Sequence, residues 1–318
     1  MMPALAEDIM LGDSRAMQRL RALIATVAPT RIPVLIEGAT GTGKELVART
    51  LHAESRRSGA LVALNVCAVG ETMFEDALFG HARGAYTGAI AESAGFLREA
   101  NGGTMFLDEI TGLPLPLQAK LLRAIETGVF RPIGASRDVR SDFRTVVATN
   151  ESVEDLVARG RFRADLAHRL SGVVLAIPPL HERSEDIPLL VRHFASCTAD
   201  DRQVSVSDAA IEMLMVRDWP GNVRELRQVV ETAVVFAGSV LDETAIAAAL
   251  GHRSRTETRA ARLPMRNHDS LLMARRQLLE ALERASWATD AVAATLGVHR
   301  ATVYRRMKRL GIEARDAG

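Results

Sequence analysis

Apolar residues along this chain follow two different spacings. Short apolar runs, partly β-branched, have the length of buried strands and lie at 34–37, 61–64, 104–107, 145–148 and 173–177. Segments with apolar residues at helical spacing separate them, the first after Asp13, which we predict to be its N-cap. Strands that alternate with helices predict an α/β fold whose parallel five-stranded sheet is covered on both faces.

Beyond Pro178-Pro179 only helical spacing remains, at 187–194, 208–216, 223–236 and 243–250. The stretch 251–267 is rich in Arg, Thr, Ser and Ala without periodicity, which is typical of a linker. Helical spacing returns between 271 and 310. We therefore predict four regions: an α/β domain at 8–180, an all-α domain at 181–250, a linker at 251–268 and a C-terminal domain at 269–318.

Charge is distributed unevenly over the 318 residues, although the net charge is only +1. Residues 251–318 contain 14 basic against 7 acidic residues, a net charge of +7, which leaves −6 for the remainder. A basic end on an acidic body indicates nucleic-acid binding, with a solvated charged face as the alternative.

The composition, with 47% hydrophobic and 25% charged residues, is that of a soluble globular protein. No signal peptide and no run of 18 apolar residues is present, so we expect a cytoplasmic protein without a membrane partner. Cys67 and Cys197 lie in no CxxC or Cys/His cluster, which argues against structural zinc. We expect both cysteines to be buried.

A glycine-rich segment between the first strand and the next helical pattern predicts a phosphate-binding loop. It comprises Gly38, Ala39, Thr40, Gly41, Thr42, Gly43, Lys44 and Glu45. Glycines let backbone N–H groups face phosphate oxygens, and Lys44 supplies a charge for the β- and γ-phosphates. Glu45 stands where such loops usually place a magnesium-binding Ser or Thr. The alternative is a glycine-rich turn that binds nothing.

The third apolar run ends in two acids, Asp108 and Glu109. The carboxyl end of a strand beside a phosphate loop is where a metal-binding acid belongs. Asp108 can hold Mg²⁺, and Glu109 can orient and polarise an attacking water. The alternative is a pair of surface acids at a strand end.

Three stretches make a family resemblance specific: the loop ending Thr42-Gly43-Lys44-Glu45, the segment 84–89 and the segment 219–226 (WPGNVREL). The chain resembles the bacterial enhancer-binding proteins, AAA+ ATPases that activate RNA polymerase carrying sigma-54. The likeness runs from about residue 11 to 250 and again over roughly the last forty residues. It implies ATP and Mg²⁺ as cofactors. In this family Glu is the expected residue at position 45. The ligands of Mg²⁺ would then be Asp108, the phosphates of the nucleotide and Glu45 itself.

The resemblance also assigns roles. Asn65 would hold Glu109 away from the water until the nucleotide state changes. Asn150 would be sensor I and Arg224 sensor II, both near the nucleotide. Arg163 and Arg169 would be arginine fingers for a neighbouring subunit, where the alternative is surface salt bridges of little energy. The sigma-54 contact would be the glycine-flanked loop of Gly84, Ala85, Tyr86, Thr87, Gly88 and Ala89, with Tyr where Phe is commonest.

Arginine fingers acting in trans imply a closed ring, and the family forms hexamers. A homo-hexamer and a hetero-oligomer with a paralogue both remain open. Ala167-His168 departs from the aromatic pair frequent in the family, which leaves the packing between subunits open.

Two short helical patterns, 288–296 and 300–310, are broken by Gly297-Val298 and predict a helix-turn-helix. The apolar residues of the two patterns would pack inward, namely Val292, Ala293, Leu296, Val298, Val303, Met307 and Leu310. The segment resembles the Fis-type DNA-binding domain of the same family. We predict base or phosphate contacts from His299, Arg300, Thr302, Arg305 and Arg306. A basic hairpin that only stabilises the oligomer is the alternative.

The resulting hypothesis is a sigma-54-dependent activator that binds enhancer DNA and remodels the closed promoter complex by ATP hydrolysis. The match starts near residue 11, so we expect no N-terminal regulatory domain and control by expression level or by an anti-activator in trans. The alternatives are an AAA+ machine of another branch and a DNA-binding regulator with an inactive ATPase.

Overall fold

The computed structural model describes residues 10–199 and 204–262, together with separate positions further on: Leu282, Ala285, Trp287, Thr289, Val292, Val303, Met307 and Ile312. The chain forms two compact units, 1–250 and 251–318. The limits of the four regions given above remain predictions.

Within the described residues, the strands are β1 (Val34–Glu37), β2 (Leu61–Asn65), β3 (Thr104–Asp108), β4 (Val129–Phe130), β5 (Val139–Arg140), β6 (Arg144–Thr149), β7 (Val173–Ala176), β8 (Ser205–Val206) and β9 (Val240–Leu241). The helices are α1 (Arg15–Val27), α2 (Lys44–Glu54), α3 (Glu71–Phe79), α4 (Phe96–Glu99), α5 (Leu115–Thr127), α6 (Val153–Ala158), α7 (Ala164–Leu170), α8 (Ile187–Thr198), α9 (Asp208–Met215), α10 (Asn222–Phe236) and α11 (Glu243–Arg262).

Five parallel strands form the main sheet in the order β2-β3-β6-β1-β7, which confirms the predicted α/β fold. The three inner strands are almost wholly buried, because helices cover both faces and leave no polar side to the sheet. The edge strands β2 and β7 are partly exposed. Since all five strands run in one direction, the residues after β1 and β3 meet at the same edge.

The helical region 180–250, called the lid below, has its own core around the buried Trp219. Trp219 donates its indole N–H to the Leu214 carbonyl oxygen at 2.9 Å, so its one polar atom is satisfied inside that core. The lid is mainly helical, as predicted, but the prediction that it is all-α was wrong, because β8 and β9 pair in parallel within it. Each of these strands has only two residues, too few to give a strand pattern in the sequence.

Two local predictions were wrong. Ser14, not Asp13, is the N-cap of α1, because its hydroxyl accepts the Met17 N–H at 3.3 Å. The helix predicted to end near residue 250 continues to Arg262. Pro264 is the first strong helix breaker after Gly251, so weak apolar periodicity did not end the helix at residue 250.

Candidate nucleotide site

The phosphate-loop segment 38–45 connects β1 to α2 and has the backbone shape that phosphate binding requires. Gly41 and Gly43 adopt φ of 81° and 107°, a left-handed region that strains other residues. Lys44 is the first residue of α2 and is 7% exposed. Its Nζ donates to the Gly38 carbonyl oxygen at 2.9 Å, which folds the ammonium back over the loop. The first N–H groups of α2 and this charge converge on one spot.

The lid holds this loop in place through three successive carbonyl oxygens, those of residues 40–42. The donors are Nδ2 of Asn222 at 3.0 Å, the backbone N–H of Arg224 at 3.2 Å and Nη2 of Arg183 at 3.2 Å. A Cβ added to Gly41 would lie 2.2 Å from a lid carbonyl oxygen, that of Gly221. Only glycine therefore allows the lid to approach the loop this closely.

Asp108 is the last residue of β3 and Glu109 follows it, and both line the same cavity as the loop. Glu109 has a left-handed backbone, φ 55°, and its N–H donates to Asp108 Oδ1 at 3.0 Å. Its Oε1 lies 3.9 Å from Lys44 Nζ. Burial raises the pKa of Glu109 and the negative charges of Asp108 and Glu151 add to this, whereas Lys44 and Arg224 oppose it. A carboxylate that is partly desolvated but close to an ammonium suits a group that polarises water.

Asn65 contacts a different acid from the one expected. It pairs with Asp108 in the β2–β3 register, and its Nδ2 donates to Asp108 Oδ2 at 3.4 Å. Its Oδ1 accepts the N–H groups of Cys67 at 2.9 Å and Ala68 at 3.1 Å. Among the described residues no hydrogen bond joins Asn65 to Glu109. The parallel register places Asn65 beside the last residue of β3, so it reaches Asp108 first.

The donor set suits a divalent cation at Asp108. Asp108, Glu109 and Glu151 place negative charge at this edge of the sheet. Partial loss of solvent, followed by these three charges, raises the pKa of the nearby Cys67 thiol. Glu45 is arranged differently: its Oε1 accepts from Arg49 Nη2 at 2.8 Å, and its side chain is 58% exposed. The carboxylate of Glu45 would have to leave Arg49 to bind the metal.

Two further polar residues predicted for the nucleotide lie beside the loop. Asn150 follows β6, and its Nδ2 donates to Thr40 Oγ1 at 3.4 Å. Arg224, at the start of α10, touches Gly41 through its backbone. The structure therefore brings together every predicted nucleotide residue within the 1–250 unit.

A cavity of about 930 Å³ lies between the loop, the two acids and the lid. It is lined by residues 40–45 with Asp108 and Glu109, by charged lid side chains such as Arg183 and Arg224, and by apolar side chains, among them Leu11, Ile177, Leu190, Phe194 and Val223. A wall that combines a phosphate loop with apolar side chains suits a nucleotide, whose phosphates and planar base need different surroundings.

Both cysteines are exposed, so the prediction that they are buried was wrong. Cys197 lies on α8 in the cavity wall, 3.6 Å from His193 Nε2. Cys67 lies in the turn after β2. An isolated cysteine gives no periodic signal to show which side of an element it occupies.

Sequence reasoning missed Arg183, Asp186 and Asn222. Each is nearly fully buried and each holds the lid to the α/β region rather than lying in a recognisable loop motif. Asn222 also donates through Nδ2 toward Pro220 and accepts the Leu180 N–H at 2.8 Å. Its positive φ of 50° on a non-glycine residue is the kind of strain found at functional sites. The sequence signal was its place inside the segment 219–226.

Arg163 and Arg169 lie away from the cavity wall, at the two ends of α7. Arg163 is the N-cap position, and its guanidinium pairs with Asp165 through Nε at 3.0 Å and Nη2 at 2.7 Å. Hydrogen bonding from Arg163 lowers the pKa of Asp165. The Arg163 N–H donates to the buried Gln118 at 2.9 Å, which fixes where α7 begins.

The segment 84–89, called the tip loop below, forms a turn outside the nucleotide cavity. Gly84 N–H donates to the Ala89 carbonyl oxygen at 2.9 Å, and Ala89 N–H to that of Tyr86 at 3.0 Å. Tyr86 is 46% exposed. Partial loss of solvent at the hydroxyl and, second, the negative charge of Asp76 raise the pKa of the Tyr86 hydroxyl. The hydroxyl therefore stays protonated and donates a hydrogen bond.

The predicted DNA contacts His299, Arg300, Thr302, Arg305 and Arg306 lie outside the described residues. Within that C-terminal unit, Leu282, Val292, Val303, Met307 and Ile312 form one buried cluster. The inward packing predicted for Val292, Val303 and Met307 is confirmed. The other residues predicted to pack inward, Ala293, Leu296, Val298 and Leu310, lie outside the described residues.

Three family models match successive parts of the chain. The Sigma-54 interaction domain matches residues 10–176, the AAA+ ATPase lid domain 181–263, and the Fis family of bacterial regulatory proteins 275–310. The chain belongs to the sigma-54-dependent transcriptional regulators. The AAA+ fold with a lid and a Fis-type helix-turn-helix is thereby confirmed.

Named members of the family are similar over most of this chain. The C4-dicarboxylate transport regulator DctD of Pseudomonas aeruginosa is 39% identical over 97% of the chain and 66% of its own length. ZraR of Salmonella typhimurium is 40% identical over 94% of the chain and 68% of its length. The Nif-specific regulatory protein of Herbaspirillum seropedicae is 45% identical over 74% of the chain. The chain spans only 44% of that relative's length.

Solved structures of other proteins have the same fold. NtrX of Brucella abortus in complex with ATP has a TM-score of 0.67 at 32% identity, covering 95% of this chain and 69% of its own. RuvB of Thermotoga maritima, at 18% identity and a TM-score of 0.54, covers 99% of this chain and 93% of its own, and shows the shared fold alone. Among the helices that the structure describes, none has the length and apolar character of a membrane span.

Proposed function

We propose that this sigma-54-dependent regulator hydrolyses ATP to ADP and phosphate and uses the turnover to remodel a closed promoter complex of sigma-54 RNA polymerase. The C-terminal helix-turn-helix holds it on enhancer DNA. The observation that carries the proposal is that Lys44, Asp108 and Glu109 converge in one cavity of a Sigma-54 interaction domain.

Each of these side chains has a distinct task in the proposal. Lys44, held over the loop, neutralises charge on the β- and γ-phosphates. Asp108 holds Mg²⁺, which supplies further charge neutralisation when bound. Glu109 orients the attacking water and polarises its O–H bond. Asn150 and Arg224 stand beside the loop and read the state of the γ-phosphate.

The active species in this proposal is a ring, a hexamer by family resemblance. Arg163 and Arg169 are exposed and lie outside the wall of their own cavity, so they are free to reach a neighbour's. There they would offset charge that develops on the transferring phosphoryl group. Arg163 would exchange its partner Asp165 for that phosphate.

Phosphate release by the purified full chain with enhancer DNA tests the ATPase. We expect Glu109→Gln and Arg163→Ala each to lower turnover by about 10³-fold, and Glu92→Gln, a surface acid away from the cavity, to leave it unchanged. Mixing Arg163→Ala with Lys44→Ala should restore part of the activity, because intact fingers of one subunit then meet an intact nucleotide site of another. If the two variants assemble into mixed rings and phosphate release is still not restored, arginine fingers that act in trans are contradicted.

Thr87→Ala tests the sigma-54 contact and the rival proposal of another AAA+ machine. We expect phosphate release to continue while promoter opening by sigma-54 RNA polymerase is lost, since Thr87 lies in the tip loop away from the cavity. Thr26→Ala removes an equivalent exposed hydroxyl on α1 and should have neither effect. Normal promoter opening by Thr87→Ala would count against a tip-loop contact.

A further inference from the structure

The base of the tip loop is fixed by backbone pairing on two sides. His81 forms an antiparallel bridge with Ser93, with N–H to carbonyl distances of 3.1 and 2.9 Å. It also forms a parallel bridge with Ile133. The chain thus enters the tip loop from a rigid base.

The His81 side chain joins this base to α3. Its Nδ1 lies 2.5 Å from Asp76 Oδ1, and its Nε2 lies 3.0 Å from the Ala91 carbonyl oxygen. The two side chains of the pair are only 12% and 19% exposed. A carboxylate held this way on one oxygen presents its other oxygen in a fixed direction.

Tyr86 takes up that second oxygen. Its hydroxyl donates to Asp76 Oδ2 at 3.2 Å, and its ring centroid lies 5.1 Å from that of His81. The flanking Gly84 and Gly88 have φ of 79° and 104°, and a Cβ added to either would meet nothing within 4 Å. The space beside the two glycines is open, so the contact of Tyr86 with Asp76 is one of the restraints on the tip loop.

We propose that Asp76, positioned by His81, anchors Tyr86 against α3, and that Tyr86 leaves this anchor when the tip loop engages sigma-54. The second half rests on the proposed function. Ile90, the residue that follows the tip loop, is 83% exposed. A released Tyr86 ring adds a second exposed apolar group to this segment and offers its hydroxyl to the partner.

A second contact also restrains the tip loop, and it limits how far loss of the Tyr86–Asp76 contact can loosen the loop. Ala85 packs on Gly134, where an added Cβ would lie 2.7 Å from the Ala85 Cβ. Loss of the anchor therefore loosens the tip loop without detaching Ala85. One hydrogen bond to a partly exposed carboxylate corresponds to a change of about two- to tenfold in the fraction of released loop.

Hydrogen exchange of the peptide 82–92, measured by mass spectrometry on the full chain with ADP, tests the anchor. We expect Asp76→Ala and Tyr86→Phe each to speed exchange about two- to tenfold. Tyr86→Phe should have no further effect once Asp76 is replaced, because both changes break the same contact. Glu92→Gln, a matched acid in the same segment, should match the wild type. The anchor would be overturned if both single variants exchanged at the wild-type rate. It would also be overturned if the rate increases of the two single variants multiplied in the double variant.

Binding to purified sigma-54, measured with ADP and aluminium fluoride as phosphoryl mimic, tests the release step. We expect Asp76→Ala to bind about two- to tenfold more tightly, because the cost of freeing Tyr86 disappears. Equal or weaker binding, with phosphate release still at the wild-type rate, would overturn the release step. If the wild type itself fails to bind sigma-54, the proposed function fails, and the exchange experiment alone decides the anchor.

Discussion

Asp186 provides the sharpest test of how the lid is held to the α/β region. It lies where the lid begins and is 1% exposed. Its Oδ1 accepts the N–H groups of Asp13 at 2.7 Å and Ser14 at 2.8 Å, and its Oδ2 accepts the Ser14 hydroxyl at 2.8 Å. A Cβ added to Gly12 would lie 2.8 Å from Oδ2, so the N-terminal turn closes directly on this carboxylate.

Replacing Asp186 by Ala removes all three acceptor contacts and leaves buried donors unpaired. A hydrogen bond to a charged group contributes about 1.5–3 kcal/mol, but burying the carboxylate has its own cost, so we expect a net loss of about 3–5 kcal/mol. At about 2–4 °C per kcal/mol for a unit of this size, the melting temperature should fall by roughly 6–20 °C. Asp186→Asn keeps the shape and should lose about 1–2 kcal/mol.

Urea unfolding of the full chain, followed by tryptophan fluorescence, measures these losses because Trp219 lies in the lid core. Asp142→Ala is the matched control. The Asp142 side chain is 61% exposed, and its ion pairs with Arg57 at 3.4 Å and Arg31 at 3.7 Å lie at the surface, so its replacement should cost no more than about 1 kcal/mol. If Asp186→Ala destabilises no more than Asp142→Ala, the three hydrogen bonds do not hold the lid as described.

Two further predictions concern the site itself. Gly41→Ala should abolish ADP binding in calorimetry, because its Cβ would collide with the lid, whereas Gly43→Ala, with open space around its Cβ, should weaken binding by only about 1–2 kcal/mol; equal losses would contradict this. Burial raises the pKa of Glu109 above 4.5, so ATP turnover should fall as the pH drops through that raised value and the carboxylate is protonated. Glu151→Gln removes a negative charge that helps to raise the pKa of Glu109, so the pH at which ATP turnover falls should become lower. Glu154→Gln should leave that pH unchanged.

Much of the α/β region could be predicted because its signals are local. The strands β1, β3 and β6 are short apolar runs; Gly38–Glu45 follow β1, and Asp108 and Glu109 lie at the end of β3. Parallel strands bring such residues to one edge whatever the details of packing. The phosphate loop and the two acids therefore followed from sequence order, whereas Asn150 and Arg224 were predicted only from the family resemblance.

The features that could not be predicted from the sequence depend on tertiary contacts, and such contacts leave no local pattern in the sequence. Asp186 lies in an ordinary polar segment, yet it holds residues more than 170 positions away. Asn65 faces Asp108 rather than Glu109 because strand register, which the sequence does not encode in one place, decides the neighbour. The anchor of Tyr86 likewise requires Asp76 and His81 to come from two sides of a turn.

Opening of a sigma-54 promoter by purified sigma-54 RNA polymerase, read as reactivity of unpaired thymines, asks whether ATP turnover in this cavity drives remodelling. We expect melting with this chain and ATP, and none with Glu109→Gln or with an analogue that cannot be hydrolysed. Melting without hydrolysis would contradict the proposed coupling, and so would rapid ATP hydrolysis that leaves the promoter closed.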